Sequence, residues 1–476
     1  MSTELIVLLT IFIPVLGSLT IPVAGGVSKS VRSAWSLILG GATAVLPLLL
    51  IPMALRGGEE IFRHPLVLGL DFTLIVDPLA VFMSIVSSFV GFLIILYSLG
   101  YIAHEEDQNE YYLMVVLFIG SMMGLVYSSN LIFMYLFWEI IAICCWRLIG
   151  FYRFKDHVLK ADKAFLVTFF GAVVMLLGFI QIYGGSGTFD LVDMRGTMIP
   201  GAAVLLILFG MFSKSATVPL HTWLPDAGVA PTTVTALLHA AVLVKIGVYA
   251  YARIFLYTFD IPAGWKEAIP WLAVISSLIA AGAATVETDF KRILAYSTVS
   301  QIGYIFLGFS VANADGISGS LLFILMHGLA KAGLFLCAGI VIHATHKRDI
   351  REMGGLIKTM PLTAVSFLVC AFSVIGIPPF GGFFSKFLVI VGTVKAEAIW
   401  PAAVALFTAV LTMFYLLKVF SQVFLGEARE PAHEGTPSMV FVVTLLAVLS
   451  LLAGIFVAYP MKLADIATAG MSWWLK

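Results

Sequence analysis

Seven ionisable side chains sit inside stretches that are otherwise apolar. Glu139 lies in LFWEIIAICC, Lys214 in LFGMFSKSATVPLHTWLPDA, and His239 with Lys245 in LLHAAVLVKIGVY. His327 and Lys331 share LLFILMHGLAKAGLFL, and Lys386 lies in PPFGGFFSKFLVIV. A charge at the centre of a spanning helix costs about 2.5–3.5 kcal/mol on insertion scales, so such residues face protein or water and read by default as functional. Amines and imidazoles bind and release protons, and a carboxylate nearby sets how firmly an amine holds one. At an effective dielectric near 20, a carboxylate about 4 Å from an ammonium is worth roughly 4 kcal/mol, and about 8 Å halves it. A carboxylate that moved with respect to a buried lysine would therefore switch that lysine between holding and releasing a proton. His327 and Lys331, four apart, share a helix face. His239 and Lys245, six apart, lie about 120° apart around the axis and do not need a common face.

The elements that must position these groups are spanning helices. Of the 476 residues 61% are hydrophobic and 11% charged, where a soluble domain carries roughly 25% charged residues. Windows of about 20 apolar residues fall at 3–22, 31–54, 76–102, 111–128, 130–152, 162–183, 199–221, 231–258, 268–286, 293–311, 318–343, 361–391, 398–424 and 438–460. The expectation is an all-α polytopic membrane protein of about 14 transmembrane helices, the first of them retained rather than cleaved as a signal peptide. Two runs look broken. Pro219 and Pro225 follow Lys214, while Pro378, Pro379, Gly381 and Gly382 precede Lys386. Proline removes a backbone donor, and irregular backbone at membrane depth survives only inside protein or beside water. The breaks fall in the seventh and twelfth runs, five apart, so a five-helix repeat would be inverted. Broken helices in matching halves point to transport sites.

Orientation follows from loop charge. Thirteen basic residues fall in odd-numbered connections, including Arg153, Lys155, Lys160, Lys163, Lys291 and Arg292. Eight fall in the even-numbered connections and tails, including Arg195, Arg253 and Lys266. The positive-inside rule then puts both termini on the non-cytoplasmic side. Arg147, two turns from Glu139, is expected to snorkel toward the cytoplasmic face. A lone intramembrane lysine also fits a helix–helix clamp; the set as a whole fits a relay better.

Other chemistries find no support. Net charge is zero, against nucleic acid or a polybasic surface role. Cys144, Cys145, Cys337 and Cys370 lie in apolar runs without zinc or iron–sulfur spacing. No GxGxxG, HExxH or GxSxG motif is present. Neither a catalytic centre nor a cofactor or metal is expected in this chain. Sodium would need oxygen ligands, for which Glu139 and Asp77 are the intramembrane candidates.

The stretch VPLHTWLPDAGVAPTTVTALLHAAVLVKIGVY, at 218–249, resembles the core of the antiporter-like subunits of respiratory complex I. It is equally similar to the large subunits of Mrp cation/proton antiporters and to membrane subunits of energy-converting hydrogenases. VDPLA at 76–80, WEIIAICCWRLIGFY at 138–152, DFKRILAYSTVSQIGY at 289–304, HGLAKAGLFLCAGIVIHAT at 327–345 and PPFGGFFSKF at 378–387 carry the same resemblance. It implies three N-terminal helices (1–110), inverted repeats of helices 4–8 (111–258) and 9–13 (259–426) with discontinuous helices 7 and 12, and a last helix with its tail (427–476). It implies a Glu139–Lys214 pair, a helix-8 Lys245 or His239, the helix-11 His327 and Lys331, and a terminal Lys386. Phe323 stands where some members have a second histidine, Arg147 where the family is usually apolar, and no long lateral helix is expected after the last span. The implied function is a subunit of a redox-driven or Mrp-type complex in the cell (inner) membrane, moving protons or exchanging them for Na⁺. Its partners would be other membrane subunits, homologous antiporter-like ones and small ones, with a peripheral redox arm in some complexes. The sequence leaves open which complex, and leaves open a stand-alone secondary transporter for a small solute or cation.

Overall fold

A computed structural model describes residues 1–66, 70–429 and 432–471. The chain opens with α1 (Thr3–Ser18) and α2 (Ile21–Val27), bent by 51°. Next come α3 (Lys29–Val45) and α4 (Ile51–Ala54), joined by a 3₁₀ turn where Pro47 and Pro52 remove donors. A hairpin of β1 (Glu60–Pro65) and β2 (Asp71–Val76) leads into α5 (Pro78–Tyr101), α6 (Gln108–Tyr127) and α7 (Leu131–Ile149). Then follow α8 (Lys155–Ser186), the short β3 (Thr197–Met198), α9 (Gly201–Lys214) and α10 (Trp223–Asp226). The next stretch is α11 (Thr232–Ala236), a π-helical turn at Leu237–Ala241, α12 (Leu243–Tyr251), and a second π turn at Ala252–Thr258. β4 (Phe259–Asp260) pairs in parallel with β3. The second half holds α13 (Ala263–Val286), α14 (Phe290–Ser310), α15 (Ala314–Thr345), α16 (Pro361–Ile375) and α17 (Gly381–Lys395). It closes with α18 (Ile399–Phe424), α19 (Pro437–Ile455) and α20 (Ala458–Met471).

Among the described residues eleven helices are long and apolar enough to cross a membrane, and the bent α1–α2 pair makes a twelfth. The chain is thus a mostly helical, multi-span membrane protein. Both α14 and α15 are enclosed on nearly every side. By contrast α8 and α18 turn Leu166, Phe170, Leu177, Leu406 and Phe414 outward. Lys245 and Lys331 lie in enclosed stretches.

The breaks beside Lys214 and Lys386 are both present: α9 stops at Lys214, and α16 and α17 are separated at residues 376–380. Gly376, at φ 91°, caps α16 in a conformation that favours glycine. A Cβ on Gly382 would come within 1.7 Å of the Ser373 carbonyl oxygen, so the two half-helices meet this closely only with glycine there.

Several expectations need correction. The chain is not wholly helical, because the strand at 71–76 pairs with 60–65. The sixth helix starts at Lys155, not near 162: Lys160 binds Asp156 at 2.6 Å, one turn apart, and a charged turn continues a helix past the apolar window. The fourteenth run ends at Ile455, and α20 follows it unforeseen.

Connections gather on two faces. On one, Leu74 bridges Ser128, Asn130 bridges Asp190, and Arg195 reaches Glu59 and the Gly470 carbonyl. Thr3 Oγ1 donates to Glu60 on this same face. On the other, Asp289 bridges Asp349, and Asp226 binds both Lys163 and Arg292. Burial raises the Asp226 carboxyl, but hydrogen bonds from Lys163 and Arg292 outweigh it and leave it below the usual aspartate value. The first face thus carries both terminal segments and connections counted as even in the sequence reading, the second connections counted there as odd.

Candidate functional site

Lys214 is fully buried as the last residue of α9. Its Nζ donates to the Trp138 carbonyl at 3.3 Å and lies 5.5 Å from the centre of that indole ring. Glu139, the next residue along α7, lies within electrostatic range, yet the two form no ion pair within 4.0 Å. The buried Oε1 of Glu139 has no hydrogen-bond partner among the described residues. The two residues implied as a pair are thus neighbours in the structure but form no ion pair.

A second group gathers where α12 meets α15. Lys245 Nζ lies 3.3 Å from His327 Nδ1, and both residues are fully buried. Lys331, one turn further along α15, donates to the Leu294 carbonyl at 3.1 Å and to Ser297 Oγ at 2.6 Å. Tyr415 donates to the same Ser297 oxygen at 2.8 Å. His239 sits in the first π turn, stacked on Phe335 at 4.5 Å, with neither ring nitrogen partnered among the described residues. Lys386 caps the break in the second half. Its Nζ donates to Val374 at 2.8 Å and Ile375 at 3.3 Å, the last carbonyls of α16, where the helix dipole favours a cation. The same amine lies 4.7 Å over the Tyr304 ring and 5.6 Å over Phe323. A cavity of about 190 Å³ adjoins it, lined by Tyr304, Gly376 and Ala405 among others, which at about 30 Å³ each has room for several waters.

The seven residues therefore form two groups. Glu139 with Lys214 is one. Lys245, His239, Lys331 and Lys386, all within electrostatic range of His327, are the other. Ser215 joins them: it follows Lys214 directly and donates to the Val244 carbonyl, beside Lys245, at 2.8 Å. Sequence reading missed the α14 side chains that run along one face from Lys331 to Lys386. Ser297, Gln301 and Tyr304 recur at i, i+4 and i+7, one helix face, and this polar stripe was there to be read. Ser297 holds Lys331, Gln301 donates to Thr412 at 3.3 Å, and Tyr304 lies under Lys386.

Three further residues, Arg253, Asp77 and Lys291, differ from expectation. Arg253, counted among loop charges, is fully buried and clamps Asp77 through two hydrogen bonds of 2.7 and 2.8 Å. Asp77 also caps α5 through the Ala80 amide, so its oxygens are committed and it is not free to serve a cation. Lys291, likewise counted in a loop, is 5% exposed at the start of α14. Arg147 chelates Glu110 on α6, which Arg153 also binds at 2.9 Å, so it turns toward the helix end. The four cysteines are buried free thiols. Among the described residues no group of three or more His, Cys, Asp or Glu side chains could hold a metal ion.

Residues 128–412 match the family model described as NADH:quinone oxidoreductase/Mrp antiporter, TM, and that span is more than half the chain. The chain belongs to the NADH:quinone oxidoreductase/Mrp antiporter family. Residues 67–112 also match the complex I chain 5 N-terminus model. Among relatives of this NADH:quinone oxidoreductase/Mrp antiporter chain, the A1 subunit of the Na(+)/H(+) antiporter of Staphylococcus haemolyticus is 31% identical, over 94% of this chain and 60% of its own length. The chloroplastic NAD(P)H-quinone oxidoreductase subunit 5 of Chaetosphaeridium globosum is 35% identical, over 86% of this chain and 65% of its own. The chain thus spans about three-fifths of the length of such relatives. A chain of respiratory complex I from Thermus thermophilus superposes with a TM-score of 0.86 at 26% identity, covering 98% of this chain and 99% of that one. A chain of an archaeal membrane-bound sulfane sulfur reductase shares the fold, with a TM-score of 0.90 at 24% identity and coverage of 98% and 97%.

Proposed function

We propose that this chain is the proton-conducting membrane subunit of a larger complex, either redox-driven (a quinone reductase or hydrogenase) or a cation/proton antiporter. Glu139, Lys214, His239, Lys245, His327, Lys331 and Lys386 carry the relay. The observation that bears most weight is the 3.3 Å contact between Lys245 and His327. It joins two fully buried basic groups with no carboxylate within ion-pair distance among the described residues. Two cations cannot both stay charged there at tolerable cost, so one proton shared along the row is the state the site favours. Ser297, Gln301 and Tyr304 extend the row to Lys386 and its cavity.

In this reading the chain crosses the membrane fourteen times, in inverted repeats of helices 4–8 and 9–13. Twelve crossings come from the long helices and the bent pair; the other two are the broken spans containing α9 and α16. Terminal segments that share one face agree with an even number of crossings, and the loop charges put that face outside the cytoplasm. Residues 1–110, 111–258, 259–426 and 427–476 are the corresponding parts. The ion favoured here is H⁺: of the two carboxylate candidates for Na⁺, the oxygens of Asp77 are committed to Arg253, which leaves Glu139 alone. Redox cofactors, where the complex has them, sit in its other subunits.

Exchanging Lys245 for Met tests this in the complex isolated from its native membrane. The expected result is loss of coupled proton movement with assembly intact. Wild-type translocation in that variant would remove the row from the mechanism, and transport by the purified single chain in liposomes would favour a stand-alone carrier.

A further inference from the structure

Lys291 stands in the first turn of α14, at the face of the odd-numbered connections. A cation there faces the positive end of the helix dipole, so it does not serve α14 itself. Its Nζ donates to the Ala230 carbonyl at 2.9 Å and to Gly228 at 3.4 Å. Among the described residues no carboxylate lies within 4.0 Å of it, and the nearby Asp289 is bound by Arg348 at 2.9 Å. Arg348 also donates to the Gly228 carbonyl, at 3.3 Å, and its side chain is 41% exposed, so solvent reaches the edge of this site. The π turn that carries His239 packs against α14, and the His239 ring is within electrostatic range of both Lys291 and Lys331. The backbone agrees: Leu294, three residues beyond Lys291 and close to the same helix face, is the residue whose carbonyl holds Lys331.

We propose that Lys291 is the residue that loads the buried row from the odd-numbered face, passing protons to His239. The inference rests on the proton-conducting reading above. A proton from water at that face binds the Lys291 amine. It then leaves that nitrogen for an imidazole nitrogen of His239, directly or over bridging water, and His239 gives it up to Lys331 or to the Lys245–His327 pair. The neutral amine takes the next proton from solvent. Loading breaks an O–H bond of hydronium or water and forms an N–H bond on Lys291; each later transfer breaks one N–H bond and, directly or through water, forms another, and no electron moves.

The alternative role is a clamp that pins residues 227–231 to α14, and arginine separates the two. Lys291→Arg keeps a donor for both carbonyls but cannot release a proton. The experiment uses the native complex in membrane vesicles that expose the odd-numbered face. Proton uptake from that face is followed with a ΔpH-sensitive dye, under the complex's own driving reaction or an imposed Na⁺ gradient. Loading predicts that Lys291→Arg and Lys291→Met both lose uptake by about a hundred-fold with the complex assembled, while Lys291→His stays close to wild type. Wild-type uptake in Lys291→Arg overturns the proposal. If Lys291→Arg does not assemble, the histidine variant decides: uptake near wild type supports loading, and uptake as low as in Lys291→Met overturns it. Lys245→Met run in parallel keeps the two readings apart. If it stops uptake while Lys291→Arg does not, only the loading role fails; if neither does, the conducting row fails first.

Discussion

Lys245 and Arg253 stand eight residues apart on one helical stretch, both fully buried, and the fold treats them oppositely. Arg253 is saturated: Asp77 takes two of its donors, Tyr249 accepts from its Nε at 3.0 Å, and the Tyr257 ring lies 4.6 Å from its centre. Lys245 has one basic neighbour and no carboxylate within 4.0 Å among the described residues. The difference follows from chemistry. A guanidinium cannot shed its charge in a protein, so burying one requires a counter-ion. An amine can be neutral, so it is tolerated where charge is only transient. In the proposed reading, paired burial marks architecture and unpaired burial marks proton traffic. Lys331 and Lys386, held by carbonyls and a hydroxyl, fall with Lys245, while Lys214 with its separated Glu139 lies between the two cases.

The sharpest way to break this comparison is Asp77→Asn. It strands a buried guanidinium and should destabilise the protein by about 3–5 kcal/mol, read as a lower unfolding temperature in detergent. Unchanged stability would mean that Arg253 does not need its partner. Next comes Lys245→Arg, which puts a permanent charge where no acid waits. It should also cost several kcal/mol, on the order of a broken buried pair, whereas Lys245→Met should stay within about 1 kcal/mol of wild type. If arginine were as well tolerated as methionine, lysine neutrality would not explain the site. Glu139→Gln probes the intermediate case. Losing an attraction of about 2 kcal/mol should change coupled flux by roughly thirty-fold with little change in melting; equal flux would detach Glu139 from Lys214. Smallest is Ser297→Ala, which removes the hydroxyl shared by Lys331 and Tyr415 and should cost about 0.5–1.5 kcal/mol by denaturant or thermal unfolding. A stability identical to wild type would count against Ser297 as the link along α14.

Much of this was legible before the fold was known, because hydropathy and helix-breaking residues act locally. The apolar runs located the spans, Pro219 and Pro378–Pro379 the breaks, and the insertion cost singled out the seven ionisable residues. Helix ends were less legible. At Lys155 the helix outlasts the apolar window, and α20 follows a span already long enough to cross. The polar stripe of α14 was visible but was made of residues that also serve as ordinary helix packing, so spacing alone did not separate the two uses.

The residues and their spacing fixed a membrane chain with too many buried cations, since the cost of charge in hydrocarbon depends only on what the side chain is. Which cations are paired was decided by docking between distant segments: Asp77 meets Arg253 across 176 positions, and Lys245 meets His327 across 82. No local pattern encodes such encounters. Arg253 and Lys291 looked like loop charges until tertiary packing enclosed one against an acid and the other against two carbonyls.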